Sequence, residues 1–93
     1  MARNTRSTKL ETRSARLRLP IAKKPVFLKL SPGLHLGYRR NQTAGTWVVR
    51  RIDGGKDWTT RLGEADDFED ANSNAILDYW QAQDKARTLA RPE

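Results

Sequence analysis

The sequence predicts an α+β fold: a three- to four-stranded antiparallel β-sheet packed on one face by a C-terminal α-helix, behind a disordered basic N-terminal arm. Three observations carry that expectation. Apolar and polar residues alternate with period two between residues 26 and 63, interrupted by Gly- and Pro-containing turns, as hairpin-linked strands require. Residues 79–90 carry small and apolar side chains at helical spacing. The first 24 residues hold eight Lys and Arg and one acid among Thr, Ser and Asn, with too little apolar content to offset the entropy of ordering.

The elements follow in chain order. Residues 1–24 read as a flexible arm, equally a tail that tracks phosphates and a solvated leader; their Arg-rich, acid-poor composition is also that of organelle transit peptides. Within the arm "ARLRLPI" alternates and offers an edge strand, which Pro20 argues against. The folded domain is expected over residues 25–91. Its first strand is "VFLKL", 26–30, ending in a turn at Ser31-Pro32-Gly33, where Pro fixes one dihedral and Gly frees the next. The second, 34–41, sets Leu34, Leu36 and Tyr38 on one face and His35, Gly37 and Arg39 on the other. After the loop "NQTAG" the third, 46–53, sets Trp47 and Val49 against Val48 and Arg50, and Asp53-Gly54-Gly55 turns into the fourth, 58–63.

Matched across strands, Leu34, Leu36, Tyr38, Trp47, Val49, Trp58 and Leu62 make one wall of a core. His35, Arg39, Arg50, Thr59 and Arg61 then share the opposite face, from which acids are absent in this register. A one-residue slip would invert any strand's contribution. Arg40 and Arg51 fall on the core side and are read as strand-end residues that snorkel to solvent, within reach of phosphate. At the C-terminal end, Asp78 with Gln81 fits a capping box, and Tyr79, Ala82, Ala86 and Leu89 form the stripe facing the sheet. Arg87 and Arg91 suit the helix dipole, and Pro92 marks the stop.

Composition narrows the function. A chain of 93 residues makes one small core. Without cysteine there is no disulfide, thiol catalysis or cysteine-based zinc site, and the single histidine, His35, reads as a surface or hydrogen-bonding residue rather than a ligand. No apolar run approaches the roughly 20 residues that span a bilayer. The net charge of +7 is divided: up to Leu62 there are 15 basic residues against 3 acids, a balance of +12, and beyond it 3 against 8, a balance of −5. Such a field attracts polyanions, nucleic acid first and an anionic membrane surface as its rival. The acidic run Glu64–Asp70 lacks the spaced ligands and glycine of a calcium loop and reads as a solvated loop that turns DNA away from its side. Tyr38, Trp47, Trp58, Tyr79 and Trp80 read as core rather than stacking platforms, with Trp80 the first candidate for an exception. No catalytic residue, cofactor, metal or small-molecule substrate is expected.

Taken in order, "GLHLGYRR", a loop, "TWVVRR", a Gly turn, "WTTRLG", an acidic loop and a capped helix with "AQDKARTLA" resemble the arm-type DNA-binding domain at the N-terminus of tyrosine recombinases, the integrases of phages and genomic islands. Gly33, Leu34 and Leu36 match that family's first strand, Trp47 and Arg50 its second, Leu62 and Gly63 its third, and Gln81, Ala82, Gln83 and Ala86 its helix. The chain departs from the pattern with Gln81 and Gln83 where Glu and Arg are usual, and with a longer acidic insert, "EADDFEDANSNAI". The resemblance covers about residues 25 to 90.

It implies a non-catalytic domain whose exposed sheet face enters the major groove of double-stranded DNA at arm-type sites, in the cytoplasm of a bacterium, near the nucleoid. By position, Arg39, Arg50 and Arg61 become candidates for base or phosphate contact, with His35 and Thr59 beside them. Arg40, Asn41, Gln42 and Lys56 would touch flanking phosphates. The alternative is an interaction domain that docks through its helix onto other recombinase subunits; double-stranded RNA is a weaker third reading.

Overall fold

Alternation between residues 26 and 65 produces a four-strand meander, β1 (Val26–Ser31), β2 (Leu34–Arg39), β3 (Thr46–Asp53) and β4 (Lys56–Ala65), in a computed structural model that describes residues 6–72 and 74–90. These four strands pair antiparallel in sequence order. A fifth, β5 (Ile76–Leu77), joins β4 in parallel, making the sheet mixed. The helix α2 (Tyr79–Ala90) packs on one face. The expected α+β architecture stands, with one short strand more than the alternation predicts.

The turns explain the register. Gly54 and Gly55 both have positive φ, +57° and +87°, between the paired Asp53 and Lys56, the geometry whose twist suits a two-residue hairpin. Near the other end of β4, Val48 pairs Arg61 while Trp47 pairs Gly63, so Leu62 is an extra residue in a two-against-one bulge. Leu62 and Gly63 are both buried there, so the bulge sets two consecutive residues on the core side and turns Glu64 outward and Ala65 inward.

The inner face buries Leu34, Leu36, Tyr38, Trp47, Val49 and Leu62, which Ala65, Leu77 and one side of α2 complete. Trp47 lies between Tyr38, at 5.1 Å, and Tyr79, at 6.1 Å, and its Nε1 donates to the Leu77 carbonyl at 2.8 Å. The capping box is formed in both directions: Gln81 N donates to Asp78 Oδ1 at 2.8 Å and Asp78 N to Gln81 Oε1 at 3.0 Å. Two expected core residues lie elsewhere. The buried stripe of α2 is Tyr79, Ala82, Gln83, Ala86 and Ala90, and Leu89 is 47% exposed; at about 100° per residue it falls on the flank of that stripe. Trp58 is 38% exposed. It pairs beside Arg51, whose Nη1 donates to the Ala90 carbonyl at 2.6 Å, so the helix end rests on Arg51 and leaves Trp58 at the margin.

The largest departure is at the N-terminal end. Residues 1–5 lie outside the described residues, but much of the expected arm is folded. A short helix, α1 (Arg13–Leu17), begins at Thr12, whose side chain accepts from Ala15 N. Leu10 and Arg16 are each 1% exposed. Arg16 lies over the rings of Trp47, at 5.2 Å, and Tyr38, at 5.9 Å. Its Nε donates to Asp67 Oδ1 at 2.9 Å, its Nη1 to the Leu10 carbonyl at 2.8 Å and its Nη2 to Asp66 Oδ1. Two of the acids expected in a solvated loop, Asp66 and Asp67, are thus the counter-charge of a buried cation, while Glu64, Glu69 and Asp70 are exposed. An arginine counts against burial in composition; aromatic faces and two carboxylates from distant sequence reverse that. The alternation at 16–21 forms no strand, and the Ala22 N to Arg40 carbonyl bond, at 3.3 Å, ties that stretch to the end of β2.

Candidate nucleic-acid interface

The outer face of the sheet is the side that α2 leaves open. Its rows can be read from the strand pairing. Lys29, His35, Arg50 and Thr59 lie side by side in one row, Phe27, Gly37, Val48 and Arg61 in the next, and Arg39, Thr46 and Glu64 in a third. His35, Arg39, Arg50, Thr59 and Arg61 therefore share one face, in the register that alternation predicts. Lys29 and Phe27 join them from β1, a strand whose looser alternation left its faces unassigned.

Exposure separates these residues. Arg39, Thr59, Arg61 and Lys29 are exposed, whereas His35 and Arg50 are half-buried. Arg50 Nη2 is paired with Asp57 Oδ2 at 2.6 Å, and its guanidinium lies 5.8 Å from the centre of the Phe27 ring. His35 stands edge-on to the same ring, with centroids 6.4 Å apart and planes at 84°. Asp57 and Glu64 correct the expectation that acids are absent from this face. Asp57 pairs across from Ile52, one row beyond that of Arg50, so its carboxylate reaches the arginine diagonally.

The expected flanking contacts occupy opposite ends. Arg40, Asn41 and Gln42 are at the β2–β3 loop, while Lys56 is exposed at the β3–β4 turn. The eight residues of β3 separate them by roughly 25 Å at about 3.3 Å per residue. Asn41 is engaged in the loop itself, its Nδ2 donating to the Ala44 carbonyl at 3.2 Å and to Thr46 Oγ1 at 3.1 Å. Arg40 is half-buried and donates to the Asn41 carbonyl. Gln42 is exposed. Lys23, which sequence reasoning did not single out, lines a shallow groove with Arg39 and Arg40, and no acid is among its lining residues. Arg51 is turned to the helix end rather than to the sheet edge.

The tyrosines are inside. Tyr38 Oη donates to Asp67 Oδ2 at 2.6 Å, and burial, then that bond and charge, push its pKa well above the ordinary phenol value. Burial first and the Glu11 charge second push Tyr79 up to about 12. For Asp67, burial alone would raise the pKa, but the bonds from Tyr38, Arg16 and Gly45 outweigh it and hold the carboxyl below its usual range. Among the described residues no group of acids and histidine is placed to hold a metal ion, and no helix is long and apolar enough to cross a membrane.

Comparison with family models, with curated proteins and with solved structures found no match for this chain.

Proposed function

We propose that this chain binds double-stranded DNA by laying the outer face of its sheet into the major groove, as the arm-site-binding domain of a tyrosine recombinase acting in DNA integration. One observation carries the reading: Arg39, Arg50, Arg61 and Lys29 register on a single face, opposite the core and uncovered by the helix. Geometry supports a groove rather than a flat surface as the partner. The strands β2, β3 and β4 that carry Arg39, Arg50 and Arg61 are about 10 Å across at about 4.8 Å spacing, against a major groove about 12 Å wide, and β1 with Lys29 lies at the margin of that ribbon. Lys56 at one end of the ribbon and the Lys23, Arg39 and Arg40 groove at the other are far enough apart to meet separate backbone phosphates. The resemblance in motif order supports the assignment to the recombinase family.

In this reading the domain supplies position and sequence preference, and strand exchange belongs to another part of the recombinase. Phosphate contacts hold the ribbon in place and the face arginines read base edges. Docking through the helix draws less support. It calls for an exposed apolar stripe, and Leu89 is the one large exposed hydrophobic residue that α2 contributes among those described.

An NMR titration of the labelled domain with short duplexes at two salt concentrations tests the reading. Amide shifts should concentrate at residues 27–29, 35–42, 48–50 and 56–61, and four to six phosphate contacts should give a salt slope of about −4 to −5. Shifts confined to residues 79–90, or none at low salt, would sink it.

A further inference from the structure

The outer face carries an apolar patch among its cations. Phe27 and Ile52 are 37% and 45% exposed there, and Val48 lies between Gly37 and Arg61 in the row that Phe27 begins. Phe27 belongs to the edge strand β1, yet its ring leans over β2. A side chain added at Gly37 would put its Cβ 2.7 Å from Phe27 Cε1 and 2.6 Å from Val48 Cγ2, so the missing side chain of Gly37 is what lets the two meet. Arg50 over the ring and His35, its plane nearly perpendicular to it, hold it in place. The result is a small fixed apolar knob with a cation on either side, Arg50 in one row and Arg61 in its own.

We propose that this knob, Phe27 with Val48, is a specificity subsite for the 5-methyl group of thymine in the major groove. The inference rests on the DNA-binding reading above and names what that face recognises. The argument is one of chemical fit. The exposed Arg61 suits an anionic partner, and the patch suits a partner that also presents a small apolar group. In the major groove the thymine methyl is the apolar feature of the base edges, and phenylalanine is among the side chains that meet it. With one ring face under Arg50 and one edge against Gly37, Phe27 is poorly disposed to stack on an unpaired base. An RNA duplex offers neither an accessible major groove nor that methyl.

The test uses the full chain and a duplex selected for retention from a random-sequence pool. That duplex is remade with deoxyuridine for thymidine, which removes only methyl groups, and both are titrated against the protein and against Phe27→Ala. We expect the deoxyuridine duplex to bind about threefold to fivefold more weakly for each thymine contacted, the size of one buried methyl. Phe27→Ala should bind both duplexes alike and keep the wild-type salt slope. A selected duplex without thymine, equal binding of the two duplexes by wild type, or discrimination that survives in Phe27→Ala would each overturn the subsite while leaving the DNA reading intact. Retention of no duplex at low salt would overturn both. The wild-type comparison needs no variant, so it decides the matter even where Phe27→Ala folds poorly.

Discussion

Arg16 and Arg61 lie on opposite sides of the same sheet and do opposite things with the same charge. Arg16 is buried against Trp47 and Tyr38, with all three of its nitrogen groups bonded to Asp66, Asp67 and the Leu10 carbonyl. Arg61 is exposed in a row with Val48, Gly37 and Phe27. The difference is one of counter-charge. An arginine taken out of water must bring carboxylates with it, because a lone buried ion costs several kcal/mol; one left in water remains available to a partner's phosphate. The inner face thus uses its cation for cohesion, and we assign the outer face's cations to recognition.

That contrast breaks most visibly at Asp67. Asp67→Asn leaves Arg16 with Asp66 as its remaining carboxylate and weakens the acceptor of Tyr38 and Gly45, so a loss of about 3–5 kcal/mol is expected, which thermal melts would record as a fall of at least about 10 °C. A change under about 1 kcal/mol would mean the cluster is not what holds the N-terminal segment. The same cluster sets an acid limit. Because the folded carboxyl of Asp67 lies below its ordinary 3.8, its contribution is complete above that pH and is lost as pH falls through the lower folded value. Melts between about pH 2 and 5 should show a steep loss in wild type and a shallower one in Asp67→Asn.

On the outer face the expected signs reverse. Arg61→Ala should leave stability within about 0.5 kcal/mol of wild type and weaken duplex binding by about 1–3 kcal/mol if it reads a base, less if it holds a phosphate. Equal binding by the variant would remove Arg61 from the interface. Between the two faces stands the helix cap: Asp78→Ala should cost about 1 kcal/mol in stability without changing the salt dependence of binding. The smallest effect is at Asp57. Asp57→Asn releases Arg50 from an exposed ion pair and removes a negative charge from the face we propose for DNA, so affinity should rise about twofold to fivefold, in line with a pair worth about 0.2–1 kcal/mol. A drop in affinity would show that Asp57 positions Arg50 for binding instead of restraining it.

What could be read from sequence divides along the same line. The meander, its register and the shared face of His35, Arg39, Arg50, Thr59 and Arg61 follow from period-two alternation, and the cap at Asp78 and Gln81 from a spacing of three; both signals are local. Nothing local marks Arg16 as buried, since its partners are Asp66 and Asp67, some fifty residues on. The bulge at Leu62 and the diagonal reach of Asp57 are likewise consequences of pairing rather than pattern. Leu89 is displaced from the expected stripe because Gln83, a polar residue, takes a share of the buried face. Phe27 carries no sequence signal of its position because the feature that lets its ring lean over β2 is an absence, the side chain that Gly37 lacks.

The placement of Arg16 also decides where the domain can be cut. A fragment starting at Pro25 would retain all five strands and α2, and by hydropathy it would look complete. It would lack Leu10 and the guanidinium that lies on Trp47 and Tyr38, leaving a cleft in the core and Asp66 and Asp67 without the cation they share. The carboxyl of Asp67, held acidic in part by that cation, would then be pushed toward holding its proton. The smallest self-sufficient unit therefore begins upstream of Leu10, inside the stretch whose composition reads as a tail.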